Sequence, residues 1–103
     1  LYPLTEAFYY ILLSLYQPLH GYGIMQNVAK LSDGRINLAA GTLYGALSTL
    51  LEREWIQSTG EEDSRRKEYI ITEMGKTAVM NEIGRLKELL ANGEIITGIT
   101  TYY

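Results

Sequence analysis

The chain has 103 residues, is 47% apolar, and sets nine cations against twelve acids for a formal net charge of −3. One domain of this length can bury roughly two-thirds of its unfolded surface, and the apolar content excludes a disordered chain. No run approaches the ~18 apolar residues of a membrane span. The lack of cysteine excludes disulfides and thiolate metal sites and fits a reducing, cytoplasmic setting. No secretory signal is visible, although the sequence opens at Leu1 rather than at a methionine.

The spacing predicts a first helix over 4–16, with Leu4, Ala7, Phe8, Ile11, Leu12 and Leu15 as its core stripe. Thr5 and Glu6 mark its start and Gln17-Pro18 its end. Tyr9, Leu13 and Tyr16 form a second apolar stripe, so this helix is expected to cover a partner as well as its own core. HGYGIMQNVAKLS (20–32) predicts a second helix with Ile24, Met25, Val28 and Leu31 inward. SDGR (32–35) reads as a turn, and Ile36 and Leu38 alternate about Asn37 as a very short strand would.

A third helix is expected over about 39–53. Leu43, Leu47, Leu50 and Leu51 gather on one side, opposite Gly41, Gly45, Ser48 and Glu52, with Thr42 and Thr49 flanking. An interior glycine costs about 1 kcal/mol of helix stability relative to alanine. Either something approaches this backbone closely, or Gly41 is a helix-start residue and Gly45 is tolerated drift. Residues 55–59 and 65–72 predict two strands joined at GEEDS (60–64), with Ile56, Tyr69 and Ile71 facing the core and Arg66 and Glu68 facing outward. Thr72 caps a last helix over 73 to about 92. Its Val79, Ile83, Leu86 and Leu90 make an a/d seam longer than one small core needs. Asn92-Gly93 looks like its stop, and the apolar, β-prone tail EIITGITTYY is expected to be covered by a neighbour.

The net charge argues against a nucleic-acid partner, but three of the nine cations sit side by side at 65–67. A local positive patch on an acidic body can still bind phosphate. The element order is helix, helix, short strand, helix, strand, wing tip, strand, helix. The fold class is therefore mainly α (α+β): a winged helix-turn-helix over 1–72, followed by a C-terminal dimerisation helix and tail over 73–103.

With these pieces placed, the chain resembles the PadR family of bacterial transcriptional regulators, in its short form with a single helix after the wing. The resemblance rests on HGYGI (20–24), GTLY with the following AL (41–47), LERE-WI (51–56) and RRKEYIITEMGK (65–76), in order and correctly spaced over nearly the whole chain. It implies a homodimeric repressor whose third helix enters the major groove of double-stranded operator DNA while the wing touches the flanking backbone or minor groove. The last helix, with the first, would build the dimer. Relatives respond to phenolic acids or planar drugs, often near the dimer interface. The chain also departs from the pattern. Gly45 stands where proline is commonest, Glu54 where a glycine usually ends the third helix, and Ala39-Ala40 where a polar cap is usual. No aromatic lies between Tyr69 and Tyr102, so ligand stacking on the last helix does not carry over.

Arg65, Arg66 and Lys67 are the expected phosphate contacts, which position a protein without reading sequence. The alternative is a charged strand edge that discourages edge pairing. Thr42, Tyr44, Gly45, Ser48 and Thr49 make the candidate groove-facing surface. It offers no bidentate Arg, Asn or Gln, so modest intrinsic specificity is expected. Tyr44 is equally well read as half-buried packing, and Arg35 and Lys76 as added phosphate contacts or plain surface charges. His20 is expected to serve as a cap rather than in catalysis or metal binding. Tyr9, Leu13, Tyr16, Val79, Ile83, Leu86 and Leu90 are the candidate dimer interface. Tyr10, Trp55 and Met80, beside Tyr9 and Tyr16, are the candidate pocket for a small aromatic effector, against the simpler reading of interface core. No cofactor, metal or membrane partner is expected. A lone histidine, no cysteine and no phosphate loop argue against an enzyme. The competing reading is a winged-helix protein-interaction module without direct DNA binding, since a fold does not fix function.

Overall fold

A computed structural model describes residues 3–60 and 67–99. They form α1 (Glu6–Ser14), β1 (Leu19–His20), α2 (Gly21–Leu31), α3 (Ala40–Glu52), β2 (Ile56–Thr59), β3 (Glu68–Ile71) and α4 (Glu73–Thr97). The sheet is antiparallel in the order β1-β3-β2, with Leu19 and Ser58 on either side of Tyr69, and Ile56 opposite Ile71. This is the expected mainly-α winged helix.

Thr5 caps α1, its hydroxyl accepting the Phe8 N–H at 3.1 Å. Ile11, Leu12 and Leu15 are fully buried, and they meet Ile24 and Val28 of α2 and Leu43, Leu47 and Leu50 of α3 in a single core. Ser14 is buried among these apolar residues without a stranded hydroxyl. It donates to the Tyr10 carbonyl at 2.7 Å and accepts from Asn27 Nδ2 at 2.9 Å, clipping α1 to α2. His20 caps α2 as expected, Nδ1 accepting the Gly23 N–H at 3.1 Å.

Three local expectations are corrected. Ile36 and Leu38 do not form a strand: the Ile36 N–H goes to Ser32 Oγ at 2.9 Å, and both side chains pack on the core from an irregular segment. The third strand is instead Leu19–His20, recruited by the exposed edge of β3. Leu31, expected inward, is exposed, because α2 ends there and Asp33 and Gly34 turn the chain through positive φ. The N–H groups of Asp33 and Gly34 return to Lys30 and Ala29, which closes a Schellman stop.

The end of α3 uses the same device with an unfavourable residue. Glu54 takes φ +61, its N–H returns to Leu51 O, and the Trp55 N–H returns to Leu50 O. Glycine holds that conformation freely; an L side chain pays roughly 1 kcal/mol. The sequence departure at Glu54 therefore leaves the helix stop intact at an energetic cost.

The last helix runs further than expected. Asn92 and Gly93 stay helical, the Thr97 hydroxyl bonds back to the Gly93 carbonyl at 2.7 Å, and the stop is Gly98 at φ +72. One poor helix former costs at most about 1 kcal/mol, too little to break a helix already propagating on both sides. The expected β-prone tail is helical through Thr97; its last residues, 100–103, lie outside the described ones. Thr72 caps α4, accepting the Gly75 N–H at 3.1 Å, and Gly75 is buried hard against the Trp55 carbonyl. Further along, the Glu82 carboxylate is buried. It takes both hydrogen bonds of the Arg85 fork, at 2.8 and 2.6 Å, and the backbone N–H of Leu4, tying the start of α1 to α4.

Two predictions follow from α4. A Cβ at Gly75 would overlap the Trp55 carbonyl and lie 2.6 Å from Ile71 Cγ1, whereas one at Gly84 meets nothing within 4 Å. Gly75→Ala is expected to lower stability by about 1–3 kcal/mol despite alanine's better helix propensity. Gly84→Ala should raise it by up to about 1 kcal/mol; urea unfolding of both variants checks the opposite signs. The second concerns acid. Hydrogen bonds from Arg85 hold the Glu82 carboxyl below its ordinary range, against the opposing effect of burial. Its stabilisation is complete above the unfolded carboxyl range and is lost as pH falls through the lower folded value. Glu82→Gln should melt lower than wild type at pH 7, and the gap should close as the pH is taken below about 4. Melting curves across pH decide it, a constant gap being the contrary result.

Candidate nucleic-acid interface

The geometry of α3 follows from its buried side. Leu43, Leu47 and Leu50 are at most 1% exposed, and Ala46 is buried with them. This turns Gly41, Thr42, Tyr44, Gly45 and Ser48 outward. A Cβ at Gly41 or Gly45 would meet nothing within 4 Å, so the subunit's own packing demands neither glycine. Ala39 stands at the N-cap without a side-chain hydrogen bond, leaving the first N–H groups of α3 uncapped. Thr49 is only half-exposed and its hydroxyl is tied to the Gly45 carbonyl at 3.3 Å, so it is the least available of the five expected contacts.

Tyr44 combines its two readings. It is half-exposed, yet its hydroxyl lies 2.6 Å from where a Cβ of Gly21 would be. The glycine of HGYG thus makes room for the tyrosine of GTLY, and the two sequence pieces interlock at the start of α2. The ring also reaches the wing: burial first, and then the nearby Tyr44 phenol, push the Tyr69 phenol above its ordinary value.

On the wing, Lys67 is exposed immediately before β3, and Glu68 follows opposite His20. Arg65 and Arg66 lie outside the described residues. Arg35 is ion-paired with Glu6, and Lys76 reaches Glu73 at 3.4 Å while its Nζ lies 5.8 Å over the Tyr16 ring. Both pairs are solvent-exposed, the kind worth under about 1 kcal/mol, so they occupy these cations without immobilising them.

The candidate effector residues are not brought together. Tyr10 stacks obliquely on Tyr9 at 5.9 Å, and Met80 is exposed on a different face of α4 from the one beside Trp55. Residues 78, 81, 82 and 85 share a stripe at helical spacing; Met80 falls on the far side of it. Trp55 instead lines a groove of about 490 Å³ with Leu4, Ala78, Asn81, Glu82 and Arg85. The Arg53 guanidinium covers another part of the indole, 5.0 Å from the ring centroid.

Of the expected interface residues, Val79 is 1% exposed and belongs to the subunit's own core, so it is withdrawn from that set. The seam was read one turn too early, because the first turns of α4 are consumed by packing on α1 and β3. Leu86 and Leu90 are exposed; Tyr9, Leu13 and Ile83 are half-buried; Tyr16 is exposed beside Lys76. Tyr9, Ile83, Leu86 and Leu90 line a second groove of about 420 Å³ between α1 and α4. Leu89 and Ile96, unassigned from sequence, extend the same exposed stripe at a spacing of seven.

Comparison with known proteins agrees with this architecture. The sequence model of the transcriptional regulator PadR-like family matches residues 11–81. A transcriptional regulator from Clostridium thermocellum is 25% identical, with a TM-score of 0.65 over 92% of each chain. A PadR-like transcription factor from Bacteroides fragilis is also 25% identical, with a TM-score of 0.67 over 87% of each chain. A PadR family transcription regulator from Clostridium difficile shares the fold at 23% identity, with a TM-score of 0.68 over 88% of this chain and 99% of that one. No curated protein matches. Because the family model spans the helix-turn-helix, the wing and the start of α4, the chain belongs to the PadR-like family of transcriptional regulators, and it is a DNA-binding regulator rather than an enzyme.

Proposed function

We propose that this protein is a homodimeric, cytoplasmic repressor that binds an inverted-repeat operator and is released by a small aromatic effector. The observation that carries the DNA-binding surface is the outward face of α3, short-chained and open while its leucines are fully buried. Thr42, Tyr44, Gly45 and Ser48, with Thr49 behind them, then meet the groove, and Lys67 with Arg65 and Arg66 grips the flanking phosphates. Small side chains suit close approach to thymine methyls and to the backbone, and specificity comes from two half-sites and from DNA shape.

The dimer is supported by the apolar stripe of α4. Its early members, Gly75 and Val79, are buried in the subunit beside the ion-paired Glu82, and its later ones, Leu86, Leu89, Leu90 and Ile96, emerge into solvent. A second copy is the occupant this stripe fits, with Tyr9, Leu13, Tyr16 and Ile83 at its margin. For the effector, the groove beside Trp55 replaces the Tyr10–Trp55–Met80 pocket expected from sequence.

Two measurements test this reading. Six wing cations on phosphates in a dimer give a slope of roughly −5 for log affinity against log salt. Fluorescence anisotropy on the DNA just upstream of the gene checks it. Replacing Arg65 and Arg66 with glutamine should reduce the slope to about −2; if the protein works as a partner platform, the same variant keeps its binding. Trp55 is the sole tryptophan, so planar phenols and aromatic acids seated in the groove should quench its emission. A flat response across the panel removes the effector from the proposal.

A further inference from the structure

The end of α3, the start of the wing and the first turn of α4 meet at one side chain. Thr72 Oγ1 donates to the Glu54 carbonyl at 2.7 Å and accepts the Gly75 N–H at 3.1 Å. The Thr72 N–H donates to the Trp55 carbonyl at 2.9 Å, the same carbonyl on which Gly75 seats α4. Glu54 and Trp55 are the two residues that close α3, one held in the left-handed region and the other returning its N–H to Leu50. Thr72 therefore bonds at once to the residue that stops the DNA-contacting helix and to the first turn of the helix that leaves the domain. The next fixed point on α4 is two turns on, where Val79 enters the core and Glu82 takes the Leu4 N–H.

We propose that Thr72 is a positioning residue for DNA binding: its hydroxyl sets the angle at which α4 leaves the body that carries α3. From Gly75 to Thr97 the helix extends for about 30 Å, so a swing of about 10° moves its far end by about 5 Å. Base pairs are stacked about 3.4 Å apart along the duplex. In a dimer built on α4, a joint loosened by that much would put the two α3 helices out of register by more than one base pair. This last consequence rests on the dimer reading; the angle within one chain does not.

The absence of cysteine permits a direct measurement. Spin labels on Ser48→Cys and Asn92→Cys report the distance between α3 and the far part of α4, and dilution with unlabelled protein confines the signal to one chain. Thr72→Val keeps the shape and removes both hydrogen bonds. It is expected to shift or broaden the distance distribution by several ångström, about the swing estimated above, while Thr72→Ser matches wild type. Melting temperature is recorded for each variant, because losing a threonine that only stabilises would lower the melting point and leave the distances where they were. Thr72→Ala, which also removes the hydroxyl but adds no apolar methyl in its place, supplies a second perturbation should the valine variant not fold, and it should move or broaden the distances likewise. Unchanged distances in the folded variants overturn the proposal. Failure of the dimer reading appears separately, as a monomeric wild type in sedimentation, and leaves the intrachain distance readable.

Discussion

Burial of Leu43, Leu47 and Leu50 is the constraint on which the rest of the structure depends. Each belongs to the same buried core as Ile11 and Leu12 of α1, Leu15 at its C-cap, and Ile24 and Val28 of α2, and burying each contributes on the order of 1.5–3 kcal/mol. The helix cannot rotate about its axis without surrendering several of these contacts. With its inward side determined, its outward side is determined too, and the small residues Gly41, Thr42, Gly45 and Ser48 have nowhere else to face. The outward glycines are costly by propensity and unsupported by packing. The open space at Gly45, in the middle of α3, leaves room for a close approach from outside, while Gly41 sits in the first turn of the helix, where a glycine costs less.

The acidic net charge and the DNA-binding assignment are compatible because the charges are not spread evenly. Acidic side chains on the helical body are partly spent on local pairs: Glu6 with Arg35, Glu73 with Lys76, Glu82 with Arg85. Exposed charges separated by more than about 8–10 Å are screened at physiological salt, so acids along α4 subtract little from the potential at the wing. The total charge is then a poor guide, and what counts locally is the contiguous run Arg65-Arg66-Lys67, which Glu61, Glu62, Asp63 and Glu68 flank in the sequence.

Much of this was legible in the sequence. The leucine face of α3, the alternation Ile56, Tyr69, Ile71, and the caps Thr5, His20 and Thr72 are short-range patterns, and the structure keeps all of them. What escaped were features set by long-range partners. Leu19–His20 is a strand only because β3, some fifty residues later, offers it an edge. The pairing of Gly21 with Tyr44 is invisible until α2 and α3 are packed. Asn92-Gly93 imitates a stop, and only the later Gly98 in the left-handed region does the stopping. The apolar seam of α4 was recognised, but nothing local distinguishes Val79, which its own core claims, from Leu86 and Leu90, which it leaves in solvent. Within one chain the candidate effector residues Tyr10, Trp55 and Met80 do not converge, and aromatic content says nothing about which faces do.

That division along α4 carries a thermodynamic consequence. One helix, continuous for 25 residues, serves the subunit core with its first turns and offers the remainder outward. Helix propagation is cooperative, so order in the exposed half is supported by the buried half, and covering the exposed half feeds back on the packing of Val79 and Glu82 against α1. In the proposed dimer, folding of the domain and association through α4 would therefore be two ends of one equilibrium, in which anything that covers the late stripe also stabilises the early one. A ligand in the groove at Trp55 would act on the same helix, because Asn81, Glu82 and Arg85 form its wall. The winged body and the helix that leaves it are in this sense one mechanical unit, joined where the Trp55 carbonyl meets Gly75.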